Sequence, residues 1–169
     1  MYRKGHYGAS LLAYAPIGCV ALIGGFDVAA VLGGVLTLLI APLPDYDTQI
    51  DTLTHRGVTH TVKFAVLTGC IVAFVTTSAV VIADASPLLT LIAVPFGFVI
   101  GLTSILSHIA ADALTPMGVK PFGEDGAHYS FELVYAKSTI ANYFLLFIGV
   151  IASFIAIVIG ETIRNIIVG

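Results

Sequence analysis

Five histidines and a few aspartates interrupt a chain that is otherwise almost all hydrocarbon. Most fall in three short motifs: Pro44-Asp45-Tyr46-Asp47, His55-Arg56-Gly57-Val58-Thr59-His60 and the pair His108-x3-Asp112. Imidazole nitrogens and carboxylate oxygens together are the donors of a divalent metal site, and mixed N/O sets suit zinc, manganese or iron. Ionisable groups are costly beside lipid, so their gathering at the ends of apolar runs calls for a function.

Each motif has a chemical reading and a bland one. His108 and Asp112 are four residues apart, which puts them on one helix face, one turn apart. They could supply two ligands to one ion, or Asp112 could orient a ligating histidine; equally, a hydrogen-bonded polar pair could simply end a span. Gly101 and Ser104 lie on neighbouring turns of that face and allow close helix packing. Asp45 and Asp47 follow helix-terminating prolines, and in an extended chain residues i and i+2 point the same way and can share a cation; an ordinary polar turn is the plain alternative. In the histidine motif Gly57 relieves a turn and Thr59 is the expected N-cap of the following helix, with His60 in its first turn. Arg56 could grip a phosphate or carboxylate bidentately, or serve only as a positively charged membrane anchor. His6, at the start of the first apolar run, gains weight only from its shared depth with the others. His128, among Gly, Glu and Asp, reads as a solvated loop histidine and stands outside the set.

Other chemistries lack their signatures. There is no G-x-S-x-G elbow, P-loop, dinucleotide glycine pattern or H-E-x-x-H, and no Cys–His zinc spacing. Cys19 and Cys70 lie in apolar runs and read as buried thiols.

The elements that must position these residues are membrane spans. Of 169 residues 58% are hydrophobic and 10% charged, with a mean hydropathy of +1.03, too little charge to cover a soluble domain. The net charge of −3 and the lack of a basic patch argue against nucleic acid as a partner. Residues 7–26, 28–44, 64–83, 85–107 and 138–160 are free of charge and histidine and are long enough, or nearly so, to cross a bilayer. Gly24-Gly25 and 84–87 read as tight turns, leaving two long polar connections, 45–63 and 114–137. The first run is longer than a signal-peptide core and is expected to be a retained helix. The expected fold is all-α: a polytopic bundle of about five transmembrane helices with interfacial loops, residues 1–169 forming one integral membrane domain. With the N-terminus in the cytoplasm, Arg3, Lys4, Arg56, Lys63, Lys120 and Lys137 lie inside and only Arg164 outside, as the positive-inside rule favours. All five histidines and both long loops then face the cytoplasm. With no tryptophan, Tyr2, Tyr46, Tyr129 and Tyr135 are the interfacial aromatics.

The order of these motifs resembles a bacterial and archaeal family described as LexA-regulated, inner-membrane, metal-dependent hydrolases, the YdjM-like family. The resemblance runs from His6 through P-D-x-D at Pro44–Asp47, H-R-G-x-T-H at His55–His60 and the pair His108 and Asp112. It continues through Leu114-Thr115-Pro116-Met117-Gly118-Val119 to Pro121-Phe122. The H-R-G-x-T-H element is the most specific part. Thr61 stands where serine is expected, which keeps the hydroxyl. The resemblance implies hydrolysis with a divalent metal at the inner membrane; residues 124–137 share no pattern with it.

The expected ligands are His6, Asp45, Asp47, His60, His108 and Asp112, enough for one or two ions. His55 or a spare aspartate such as Asp47 is the expected general base, and Arg56 the anchor for an anionic group. Such a centre would activate water against a phosphoester or acyl bond. A phospholipid or prenyl phosphate reaching the site from the bilayer suits its position. Two rivals stand beside the hydrolase. A membrane protein with a purely structural metal would have a closed four-ligand site. A divalent-cation transporter would need polar residues near the middle of several spans, and these spans are almost free of them.

Overall fold

The computed structural model describes residues 1–168. It is built from five helices: α1 (Arg3–Ile23), α2 (Asp27–Ile40), α3 (Val62–Ile82), α4 (Pro87–Ala113) and α5 (Thr139–Val168). Each is long and apolar enough to cross a membrane, α2 doing so together with the 3-10 segment that follows it to Gln49. Phe74, Ile82, Phe144 and Phe154 are among many large apolar side chains exposed on the outside of the bundle. In a soluble protein such a surface would drive association; around membrane helices it is the surface that meets lipid.

Helix α1 lies along α5 and α3 along α4, and α1 and α2 join the two pairs. Small residues permit the approach. A Cβ at Gly8 would come 2.3 Å from the Leu145 carbonyl oxygen, and one at Gly101 would come 2.7 Å from that of Thr68, so both seams require glycine for backbone-to-backbone contact. Hydroxyls stitch the seams where no charge is present: Ser10 Oγ meets Ser107 Oγ at 2.9 Å, and the Tyr14 hydroxyl donates to the Ala30 carbonyl at 2.6 Å. Cys19 is half-buried and Cys70 is exposed on the outer face, with no disulfide between them, so the expectation of two buried thiols fails at Cys70.

Several boundaries depart from those expected. Helix α1 starts at Arg3 rather than residue 7, so His6 lies inside it. As the four-residue spacing predicts, helix α4 carries both His108 and Asp112 as helical residues and ends at Ala113. Helix α5 runs beyond residue 160 through Glu161 and Arg164, where Arg164 pairs with Glu161 and with Asp27 at the start of α2.

The chain between α2 and α3 also differs. Residues Leu43–Gln49 form a 3-10 helix rather than an extended strand, with Pro44 in its first turn, where a missing N–H costs nothing. Val58–His60 is a second, short 3-10 turn. The N-cap of α3 is Thr61, whose Oγ1 accepts from the Phe64 N–H at 3.2 Å, not Thr59; His60 therefore precedes the helix instead of occupying its first turn. The connection from α4 to α5 folds back over the same end. Val119 and Tyr129 form an isolated antiparallel bridge, the Phe131 N–H donates to the Ala113 carbonyl at 2.8 Å and the Val62 N–H to Pro121 at 2.8 Å. Carbonyls at the α4 terminus that would otherwise be orphaned are thereby satisfied.

Candidate metal centre

The start of α1, the end of α4 and the two 3-10 segments converge at one end of the bundle. There His6, His60, His108, Asp47 and Asp112 are buried, and the Asp45 side chain is 26% exposed. His6, Asp45, His108 and Asp112 each offer a donor atom, all within 4.8 Å of one another. His60 joins them from the loop. Its Nε2 lies 3.2 Å from His108 Nε2, 3.5 Å from Asp112 Oδ2 and 3.7 Å from Asp45 Oδ1. Further separations are His108 Nε2 to Asp45 Oδ1 at 3.4 Å, and His6 Nε2 to Asp112 Oδ1 at 3.6 Å and to Asp45 Oδ2 at 3.7 Å. Ligands about 2.1 Å from one ion are separated by roughly 3.0 Å along an octahedral edge and roughly 3.4 Å along a tetrahedral one. The cluster has the dimensions of a single coordination sphere.

The tautomers fit as well. His108 donates its Nδ1–H to the Ala41 carbonyl at 2.7 Å. His60 donates its Nδ1–H to Thr59 Oγ1 at 3.0 Å, and that hydroxyl donates to Asp47 Oδ2 at 2.9 Å. With both rings neutral the two Nε2 atoms face each other at 3.2 Å as lone pairs, an arrangement relieved by a shared proton or by another cation. His6 stacks on His108 with ring centroids 3.6 Å apart; its Nε2–H donates to the Met1 carbonyl at 3.0 Å, a contact that must be given up for this atom to ligate, and its buried Nδ1 has no partner among the described residues. The buried Asp112 Oδ2 has no hydrogen-bond donor either, while Asp112 Oδ1 pairs with the Met1 amino group. Electrostatics point the same way at His60, which lies outside the spans. Burial opposes its charge, but hydrogen bonding and attraction from Asp112 and Asp45, with Asp47 behind them, prevail and hold its pKa above the ordinary imidazole value. A field that favours a proton there favours any cation. The donor set of His6, Asp45, His108 and Asp112 therefore fits a divalent ion, with the His60 imidazole against it.

Asp47 and Arg56 stand one layer out. In a 3-10 helix residues two apart are turned by about 240°, so Asp45 and Asp47 point to different sides rather than sharing one ion. Asp47 accepts from His55 Nδ1 at 2.9 Å, from the Arg56 backbone N–H at 3.0 Å and from Thr59. Those bonds hold Arg56 at φ 60, a left-handed conformation uncommon for a residue with a side chain. The Arg56 guanidinium is also engaged within the protein. It donates to Asp112 Oδ1 at 2.8 Å, to Thr115 Oγ1 at 3.1 Å and to the Gly118 carbonyl at 2.8 Å. The bidentate grip expected on an incoming anion is directed at Asp112 and the loop after α4. His128 lies apart, with Nε2 3.0 Å from the Met117 carbonyl.

His55 is the exposed imidazole of the group, its side chain 40% accessible. It shares with Asp45 the wall of a cleft of about 290 Å³ that also touches Arg3, Tyr46 and Gln49. Sequence reasoning missed Arg3 here, reading it only as a topological charge. It also missed Thr115, which is fully buried and links Arg56 to the Asp112 carbonyl at 2.8 Å, and Asn142. The Asn142 Oδ1 accepts from the Tyr2 N–H at 2.9 Å and holds the N-terminal residues across the site. A lone asparagine in a charge-free span was the available signal for it.

The YdjM inner membrane protein family matches the chain over residues 1–168. Neither a curated protein nor a solved structure matches it.

Proposed function

The chain belongs to the YdjM inner membrane protein family, and from that premise we propose that it is a metal-dependent hydrolase of amphiphilic esters at the cytoplasmic leaflet. The observation that supports this most is the convergence of donor atoms of His6, Asp45, His108 and Asp112 within 4.8 Å of one another, with His60 Nε2 3.2 Å from His108 Nε2, beside a cleft that reaches Asp45. His6, Asp45, His60, His108 and Asp112 are the proposed ligands. Two carboxylates balance the charge of one divalent ion, and the mixed set suits zinc, manganese or iron. When bound, such an ion supplies Lewis acidity and a hydrolytic nucleophile at neutral pH.

The chain's own residues do the rest. Asp47 fixes the His55 ring through Nδ1, leaving Nε2 free in a residue that lines the cleft. His55 takes the proton released as water becomes a nucleophile and returns it to the leaving oxygen. Asp47 stabilises the imidazolium that forms between those two transfers. Arg56 holds Asp112 in its ligating orientation. The Asp45 side chain, 26% exposed beside the cleft, argues for an exchangeable position and against a closed structural site. Transport is less well supported, since the polar contacts of Ser10 with Ser107 and of Tyr14 with Ala30 between the spans are made by hydroxyl groups and involve no carboxylate, imidazole or basic side chain.

The proposed orientation places the N-terminus and both long loops in the cytoplasm, on the charge asymmetry of the loops. An impermeant thiol reagent applied to intact cells should fail to label cysteines introduced near residues 50 and 126; labelling of both would reverse the topology. The reaction is tested by assaying purified protein against phospholipids and prenyl phosphates, before and after chelation and with Mn²⁺ or Zn²⁺ restored. Metal-restored cleavage of one ester is expected. Cleavage indifferent to chelation would refute the metal mechanism.

A further inference from the structure

The cleft beside Asp45 contains a cation that the proposed mechanism does not use. Arg3, the first residue of α1, lines it and is exposed, and its guanidinium has no hydrogen bond or ion pair among the described residues. The nearby cations are already committed: Arg56 to Asp112, Lys4 to the Tyr143 hydroxyl and ring, the Met1 amino group to Asp112. Across the cleft stands His55, held by Asp47 at 2.9 Å. The cleft thus joins a free guanidinium, an oriented imidazole and a carboxylate of the metal cluster. Its volume of about 290 Å³ falls just below the roughly 300–1,000 Å³ of drug-sized ligand sites, so it has room for a headgroup and not for an acyl chain. Tyr2 and Tyr46, 57% and 43% exposed, flank it as aromatics of the kind that sit at headgroup depth.

We infer that this cleft receives a phosphate group, with Arg3 as the fork that holds two of its oxygens while a third is left toward Asp45 and the cluster. The inference rests on the hydrolase reading and narrows its substrates from esters in general to phosphate esters. Arg3 supplies the bidentate recognition of an anion that the sequence suggested for Arg56.

The test is equilibrium dialysis of radiolabelled inorganic phosphate against the full-length, manganese-loaded protein in detergent, with manganese content measured on the same samples. Wild type should bind phosphate, Arg3→Gln should weaken binding about ten-fold or more with manganese content unchanged, and Arg3→Lys should fall between them. Lysine keeps the charge that helps set orientation but loses the fork, so an effect through misinsertion would spare it entirely. Repeating the measurement in phosphatidylcholine nanodiscs with and without phosphatidic acid separates the sources. Displacement of phosphate by phosphatidic acid assigns the site to a lipid headgroup; indifference to it assigns the site to a soluble phosphate, and both outcomes uphold the phosphate site. No phosphate binding by wild type, or equal binding by wild type and both variants, overturns the inference even where manganese is retained. Wild type that retains no manganese refutes the metal reading instead, and phosphate binding that still depends on Arg3 would then leave the cleft assignment standing.

Discussion

The two ends of the bundle are built on opposite rules. At the end that carries the His/Asp cluster, buried polar groups answer one another across four chain segments: Arg56 to Asp112, His60 through Thr59 to Asp47, His108 to Ala41. Both long connections fold onto that end. At the far end short turns join the helices, and the ionic contacts of Arg164 with Asp27 and Glu161 lie at the surface. Between α1, α2, α3 and α4 an apolar groove of about 1230 Å³ opens there, lined by residues such as Val20, Phe26, Leu32, Ala79 and Phe96. One end spends its packing on holding charge away from water and lipid; the other leaves its helices loosely apposed. Substitutions should therefore be costly at the first end and tolerated at the second.

The largest effect is expected at Asp112. Replacing it by alanine leaves the buried Arg56 guanidinium without its carboxylate, a change that costs about 3–5 kcal/mol where a buried pair is broken. Thermal unfolding in detergent should show a large drop in the midpoint; a midpoint near wild type would mean that the end is less tightly built than the contacts indicate. Glycines give a graded comparison. An alanine at position 8 meets the Leu145 backbone at 2.3 Å, whereas one at position 160 meets the Leu22 Cβ at 2.8 Å and the Cys19 carbonyl at 3.1 Å. Gly8→Ala should cost about 1–3 kcal/mol by overpacking, and Gly160→Ala less. Equal losses in denaturant titration would remove the asymmetry between the ends. Asp47→Asn should reduce activity about 10- to 100-fold, as loss of a group orienting a catalytic or ligating histidine does, while leaving most of the metal in place. If metal content fell in proportion to activity, the role of Asp47 would lie with the ligand His60, which it holds through Thr59, rather than with His55. The smallest effect is expected for Arg164→Ala, an exposed pairing that should leave the unfolding midpoint and metal content unchanged.

Much of this arrangement is legible in the sequence because a membrane simplifies the problem. Five charge-free runs can do little but span, and polar residues at their ends must share a depth. That placed His6, Asp45, His60, His108 and Asp112 at one end before any coordinates, and the i, i+4 spacing of His108 and Asp112 fixed their common face. What escaped depended on partners distant in the chain. The continuation of α5 through Arg164, which pairs with Asp27 at the start of α2, is one such case. Asp45 and Asp47 differ in direction because Pro42 and Pro44, read as helix stops, admit a 3-10 turn instead of an extended strand. Arg56 had two chemically equal targets, a bound anion or Asp112, and only the fold of residues 114–118 selects between them. Arg3 could not be distinguished from an orientation signal until the cleft beside it was defined.

The central claim is that three imidazoles and two carboxylates form one divalent-metal site, and elemental analysis tests it most directly. Wild-type protein purified without added metal should carry stoichiometric divalent transition metal, and His60→Ala/His108→Ala should lose most of it while retaining the helical signal by circular dichroism. Metal retained equally by the double variant, or a wild type free of metal after reconstitution with Zn²⁺, Mn²⁺ and Fe²⁺ in turn, would contradict the account.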